Sequence, residues 1–370
     1  MGPGMIRRAG GRSARWRRRL ACSASAAAVL VVAGGPADGH ITGTNAPPTN
    51  YRTRILAVSP PIPGLEVRVA EIGGALELVN RTNQQVVVLG SRLEPYLRVE
   101  PNGGVDENRR SPTWLASPPS GSVRPRSASV DAAALPDWHR TSGGRRVVWH
   151  DHRAHWTGPD PPRVRQAPRR TQVVVPRWQV PLRVGDQPVL VTGEVVWVPG
   201  PSPWPWLLLA GALAAAVGVA GRLRAWRTAV LAAVTVTVAS DVAHTLGAQL
   251  ASVVPVLVRV YASSLWAAGW ALGAVVALRM LRPRASEAEP YLVLTTGMFF
   301  AFASGLADVL TLSRSQVSTV LPLALARATV ATGLGLGAGL LVVALQRVSR
   351  PSSPHDDAQG RDTIPRRDSA

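Results

Sequence analysis

The stretch GEVVWVPGPSPWPWLLLAGALAAAVGVAGRLRAWR, residues 193–227, divides the chain in two. Val195, Val196 and Trp197 are β-formers and read as the end of a strand. The PGPSP of residues 199–203 interrupts regular structure, because proline lacks a donor and glycine is conformationally free. From Trp204 the chain turns apolar until Arg222, Arg224 and Arg227 close the run. Trp204 and Trp206 suit the aromatic belt at a membrane interface. A β-domain is therefore expected before residue 204, and membrane helices after it.

Downstream, the apolar runs predict five transmembrane helices at residues 204–221, 228–250, 255–280, 290–312 and 318–346, each close to the roughly 20 residues that cross a bilayer. Arg222, Arg224 and Arg227 separate the first two, and Arg279, Arg282 and Arg284 separate the third and fourth. Arg347 and Arg350 follow the fifth. The remaining loops hold only Arg314. Basic loops stay cytoplasmic, so residues 40–203 are expected outside the cell and the polar tail, 347–370, inside and disordered. The expected location is the plasma membrane, with several passes.

Upstream, alternation dominates. Leu65, Val67 and Val69 alternate with Glu66 and Arg68. ALELVNRTNQQVVVL, residues 75–89, places two apolar runs about Asn80–Asn83, a hairpin pattern. Trp178, Val180, Leu182 and Val184 alternate before a turn at Gly185-Asp186. Several short strands with frequent turns predict an all-β sandwich, immunoglobulin-like, over residues 40–203, with long Pro-rich loops at 112–136 and 158–170. Before it, seven arginines within residues 1–19, an apolar run from Leu20 to Val32 and AGGPADGH make residues 1–39 a secretory signal or an N-terminal anchor. The single cysteine, Cys22, excludes intrachain disulfides.

The chain has 370 residues and a formal charge of +19, with every one of its 41 basic residues an arginine. These arginines sit at helix flanks and in loops rather than on a dense basic helix, so nucleic acid is not an expected partner. Neither a Ser-His-Asp set nor paired carboxylates stand out, and an enzyme is not expected. The expected partners are the lipid bilayer, a metal ion and another envelope protein.

VVWHDHRAHW, residues 147–156, holds three of the seven histidines within six residues. On a strand, His150 and His152 would share a face, with His155 joining if the strand ended after His152. Imidazoles suit copper, zinc or nickel. His40 extends the set: cleavage after Ala37 would leave Asp38-Gly39-His40 as a square-planar nitrogen site, and cleavage after Gly39 would make His40 the first residue. His40, His150, His152 and His155 are thus candidate ligands for copper or another divalent metal, with His139 in reserve. The alternative is that His150 and His152 hydrogen-bond Asp or backbone groups beneath Trp149 and Trp156.

A second polar set lies inside the predicted helices: Asp241, His244, Arg259, Asp308 and Arg327. A charge at a helix centre costs about 2.5–3.5 kcal/mol on insertion scales, so pairing is expected. Asp241 to Asp308 and Pro255 to Pro322 are each 67 residues, and Arg259 to Arg327 and Arg279 to Arg347 are each 68. Helices two and three therefore read as a parallel repeat of four and five, a feature of some transporters. The expectation is that Asp241 and Asp308 pair with Arg259 and Arg327, either as structural ion pairs or as part of a conduction path. Gly333, Gly335, Gly337 and Gly339 form small-xxx-small steps for close helix packing.

The strings HITGTNAPPTNYRTRILAVSPPIPGLEVRV, EPYLRV, WHDHRAHW, GEVVWVPGPSPWPW and LSRSQV…LPLALARA resemble those of a family of actinobacterial membrane proteins with an exported β-domain. The resemblance covers nearly the whole chain after the signal and implies no activity. A looser similarity, in architecture alone, is to CopC-type copper carriers: an exported β-sandwich, a histidine near the mature terminus and a further histidine pair. The readings that follow are an envelope membrane protein binding copper or another divalent metal, a non-enzymatic envelope scaffold, and a transporter subunit using intramembrane Asp/Arg pairs.

Overall fold

The computed structural model describes residues 46–117, 131–254, 256–284 and 286–349. The signal or anchor, Cys22, His40 and the tail beyond 349 lie outside the described residues.

The first half folds as two antiparallel sheets. Its strands are β1 (Tyr51–Ser59), β2 (Leu65–Ala70), β3 (Ala75–Asn80), β4 (Val86–Leu89), β5 (Pro95–Val99), β6 (Val105–Asn108), β7 (Trp138–Ser142), β8 (Arg146–His150), β9 (Gln172–Val184) and β10 (Gln187–Trp197). The order is β1-β10-β9-β4-β5-β6-β7 in the larger sheet and β2-β3-β8 in the smaller. Leu76, Leu78, Val147 and Trp149 of the small sheet share one core with Val86, Tyr96, Leu97, Val180 and Leu182 of the large one. The alternation of β9 is the cause: Trp178, Val180, Leu182 and Val184 are buried, while Arg177, Gln179 and Arg183 are exposed. The expected turn at Gly185-Asp186 is present, with Val184 opposite Gln187 and Gly185 at φ +55.

Two expectations about this half are corrected. Seven strands against three, in this order, is not the four-against-three division of an immunoglobulin constant-type domain. The segment about Asn80–Asn83 is not a hairpin either, since β3 pairs with β2 and β8 while β4 pairs with β5 and β9. Asn80 is fully buried and turns the chain from one sheet to the other. Its Nδ2 donates to the carbonyls of Gln84 at 2.9 Å and Val99 at 3.0 Å, and its Oδ1 accepts from Thr82 Oγ1 at 2.7 Å. The loops carry two short helices, α1 (Pro112–Ala116) and α2 (Pro162–Gln166), each with proline in its first turn.

The second half is helical: α3 (Trp204–Ala220), α4 (Trp226–Ala251), α5 (Val256–Ala262), α6 (Ser264–Leu281), α7 (Glu289–Met298) and α8 (Leu323–Val348). Three of these, α4, α6 and α8, are long and apolar enough to cross a membrane, not the five expected. The first expected span, α3, is a shorter apolar helix of 17 residues. The third is divided into α5 and α6. The fourth is broken, because α7 has 10 residues and passes into a π-helical segment, Phe299–Leu306, and then a 3-10 turn, Val309–Leu312. The 67-residue spacing therefore recurs in sequence without a recurrence of elements: α4 is one unbroken helix, and its counterpart is three segments.

Helix α8 is the hub. Close approach at its glycines makes this possible: a Cβ on Gly335 would stand 2.5 Å from the Ala210 carbonyl oxygen of α3, and one on Gly337 2.5 Å from the Ala301 nitrogen of the π-segment.

The two halves are laced together. Thr49 and Gln316 exchange both backbone hydrogen bonds, at 3.0 and 2.8 Å. Ser315 N donates to Asn50 Oδ1 at 2.9 Å, and Ser315 Oγ donates to the Val198 carbonyl at 2.8 Å. Gly200 lies so close to Ser313 that a Cβ there would stand 1.8 Å from its carbonyl oxygen. The loop before α8 thus grips both the entry to β1 and the exit from β10. At the other end of the helices, Arg227 ties the arginine-bearing loops together, reaching Glu289 at 2.5 Å and the carbonyls of Arg279 at 2.6 Å and Arg282 at 2.8 Å.

Candidate functional site

The histidine-rich stretch is a structural knot. Strand β8 ends at His150, so the shared strand face expected for His150 and His152 does not form. Asp151 turns inward and is 4% exposed. It accepts from Trp149 Nε1 at 3.1 Å, Arg153 Nε at 2.8 Å and Arg153 Nη2 at 2.7 Å. Arg153 also donates to the carbonyls of Gly90 and Leu89, pinning this loop to the end of β4. Burial alone would push the Asp151 carboxyl up; the bonds from Arg153 and Trp149 outweigh it and hold the group below the usual carboxylate range.

The histidines follow from that knot. His150 Nδ1 lies 2.8 Å from the Gly74 carbonyl, with its Nε2 3.5 Å from Glu71. His155 Nδ1 donates to the Asp151 carbonyl at 2.9 Å, and its ring tilts against that of exposed His152 at 5.4 Å between centroids. Burial holds the His155 imidazole below its ordinary value, only partly offset by that carbonyl. His139 lies on the edge strand of the other sheet and pairs with Asp137 at 3.1 Å. Among the described residues, no three His, Cys, Asp or Glu side chains converge where a metal could bind. His40 lies outside them.

The second set does converge, but not as expected. Arg259 donates to the Gln249 carbonyl near the end of α4. Arg327 donates to the carbonyls of Thr311 at 3.2 Å and Arg314 at 3.0 Å. Among the described residues neither arginine pairs with Asp241 or Asp308, so the Asp/Arg pairs are corrected. The reason is local: the end of α4 and the 3-10 segment before α8 present carbonyls that no continuing helix takes up fully, and in an apolar surrounding these draw nearby donors.

The aspartates are partnered by other groups. Asp241, buried in the middle of α4, accepts from Trp270 Nε1 of α6 at 2.6 Å and from Ser304 Oγ of the π-segment. One turn later on α4, His244 places Nε2 3.5 Å from Asp308 Oδ2 and Nδ1 3.0 Å from Thr329 Oγ1 of α8. Asp308 follows the π-segment, has φ −98 and ψ 12, and its side chain is 38% exposed. A π-helical turn often marks a functional position.

The protons can be assigned from the partners. Thr329 spends its single hydroxyl proton on the Ala326 carbonyl at 2.7 Å. Its oxygen must therefore accept from His244, so Nδ1 carries hydrogen. Nε2 then faces a carboxylate oxygen, and both are acceptors unless one further proton sits between them. The His244–Asp308 contact, at 3.5 Å, can hold one proton between an imidazole and a carboxylate. Asp241 has a donor on each of its two oxygens, Trp270 on one and Ser304 on the other.

Trp270, Ser304 and Thr329 were not among the residues read from the sequence. Their signal was weak but present: a Trp, a Ser and a Thr within apolar runs each need a partner for a polar atom. Compared with models of known protein families, with curated proteins and with solved structures, the chain matches none.

Proposed function

We propose that this is a multi-pass membrane protein of the cell envelope whose helices move protons through the Asp241–His244–Asp308 cluster, as a transporter subunit rather than an enzyme. The observation that carries the reading is the His244 Nε2–Asp308 Oδ2 contact of 3.5 Å, whose two atoms can share a proton when Nδ1 is bonded to Thr329. Intramembrane ionisable residues are commonly parts of proton or ion paths. The arginine-bearing loops share one end of the helices, which supports a cytoplasmic placement for that end and an exterior placement for the β-domain. In this reading the β-domain histidines are structural, and copper is not required.

The test is proton flux into liposomes containing the full chain and a trapped pH-sensitive dye, under an imposed pH gradient. Flux above that of empty liposomes is expected. Asp308→Asn should lower it at least about tenfold, equal to ~1.4 kcal/mol in a barrier. Wild-type flux no greater than the empty-liposome leak overturns the proposal.

A further inference from the structure

We infer that the β-domain is mechanically linked to the intramembrane proton seat through residues 308–316, so that displacement at the seam and proton occupancy at Asp308 control one another. The inference rests on the proton-handling reading of the cluster and adds to it the element that regulates it.

Asp308 is followed directly by the 3-10 turn Val309–Leu312, and Ser313–Gln316 comes next. That last stretch is the part gripped by the β-domain, through Thr49, Asn50, Val198 and the close approach of Gly200. No slack separates the two. Arg327 binds the carbonyls of Thr311 and Arg314, one on each side of Ser313, so the segment is braced to α8 as a unit. Two residues along the same helix, Thr329 holds His244. Helix α8 therefore fixes the histidine and braces the carrier of its carboxylate partner, while the β-domain holds the far end of that carrier.

The chemistry supplies the motion. The titratable groups acting on His244 are Asp308 and, from its own helix, Asp241; Arg259 and Arg327 are turned to carbonyls. When the shared proton passes to solvent past the part-exposed Asp308 side chain, the lone pairs at Nε2 and Oδ2 oppose each other across 3.5 Å and favour withdrawal of Asp308. Withdrawal shifts residues 309–316 and loads the seam. Linkage is reciprocal, so a force that opens the seam changes how readily Asp308 takes a proton.

The experiment reads the carboxyl rather than transport. Full chain in lipid nanodiscs is treated with dicyclohexylcarbodiimide, which modifies protonated carboxyls in membranes, and the rate at Asp308 is followed by mass spectrometry. Asn50→Ala/Ser315→Ala removes the side-chain bonds of the seam. Gly200→Ala forces the same seam apart from the β side. Both should change the Asp308 rate by about threefold or more, within the range for mutations along a coupling path. Arg140→Ala, which breaks a pair with Asp106 away from the seam, should leave it unchanged. Amide exchange in β9 and β10 confirms that the β-domain is folded in each chain. Equal Asp308 rates in wild type and both seam variants, zero included, overturn the inference. A changed rate in a chain that carries no proton flux keeps the linkage and discards the transport reading. Flux with unchanged rates does the reverse.

Discussion

Asp151 and Asp308 each sit beside histidines, yet their surroundings differ. Asp151 is 4% exposed and accepts from Trp149 and Arg153, and the neighbouring histidines spend their Nδ1 atoms on carbonyls. Asp308 is 38% exposed and faces a histidine nitrogen across 3.5 Å. The Asp151 carboxylate is saturated by its donors. The second has one histidine contact and part of its surface open. Density of histidine in a sequence is therefore a poorer guide to chemistry than the number of unmet bonds at one of them.

The sharpest way to break this contrast is to remove Asp151. Asp151→Ala leaves Arg153 without its carboxylate and should destabilise the β-domain by about 3–5 kcal/mol. Urea denaturation followed by tryptophan fluorescence measures it, and a loss below about 1 kcal/mol would mean the knot is not structural. Gly335→Val should come next. Its side chain meets the Ala210 backbone, and overpacking of about 1–3 kcal/mol should lower the thermal midpoint in detergent. Asp308→Asn should by contrast leave stability within about 0.5 kcal/mol of wild type and the thermal midpoint nearly unmoved, because a part-exposed side chain carries little stability. A large drop would turn the relay into a structural strut.

The smallest effect is in pH. The folded His155 imidazole lies below its ordinary value, so the unfolded chain takes up the proton first. The stability it contributes is present above about pH 6.5 and declines as pH falls through that value toward the lower folded one. His155→Gln should flatten the slope of β-domain stability between pH 7 and 5. Asp151 acts lower. Its contribution is complete above about pH 3.9 and is lost as pH falls through its depressed folded value.

The β-region was legible where period and turn agreed. The alternation of β9 and the turn at Gly185-Asp186 were read directly, since one face of that hairpin packs in the core. The turn at Asn80–Asn83 was misread because a polar tetrapeptide between apolar runs looks the same whether it joins neighbours or crosses between sheets. What separates them is the burial of Asn80, which depends on the distant Val99 carbonyl. The helical region was legible in its apolar runs but not in its breaks, as no proline or charge lies between Tyr291 and the π-segment at Phe299. The polar residues Asp241, His244 and Asp308 were found; their partners were not. Cost arguments say that a buried charge needs company, and the nearest opposite charge is the natural choice. Here the arginines were taken by carbonyls at the end of α4 and in the 3-10 segment before α8, which could be known only once those ends were.

Helix α3, with 17 residues, spans about 26 Å along its axis, several ångströms less than the roughly 30 Å hydrocarbon layer. Lipids around it would have to shorten or bend their tails to meet its ends, at a cost of fractions of a kcal/mol per ångström of mismatch. Were α3 to cross beside α4, α6 and α8, it would favour a thin bilayer, and acyl-chain length would become a variable for this protein.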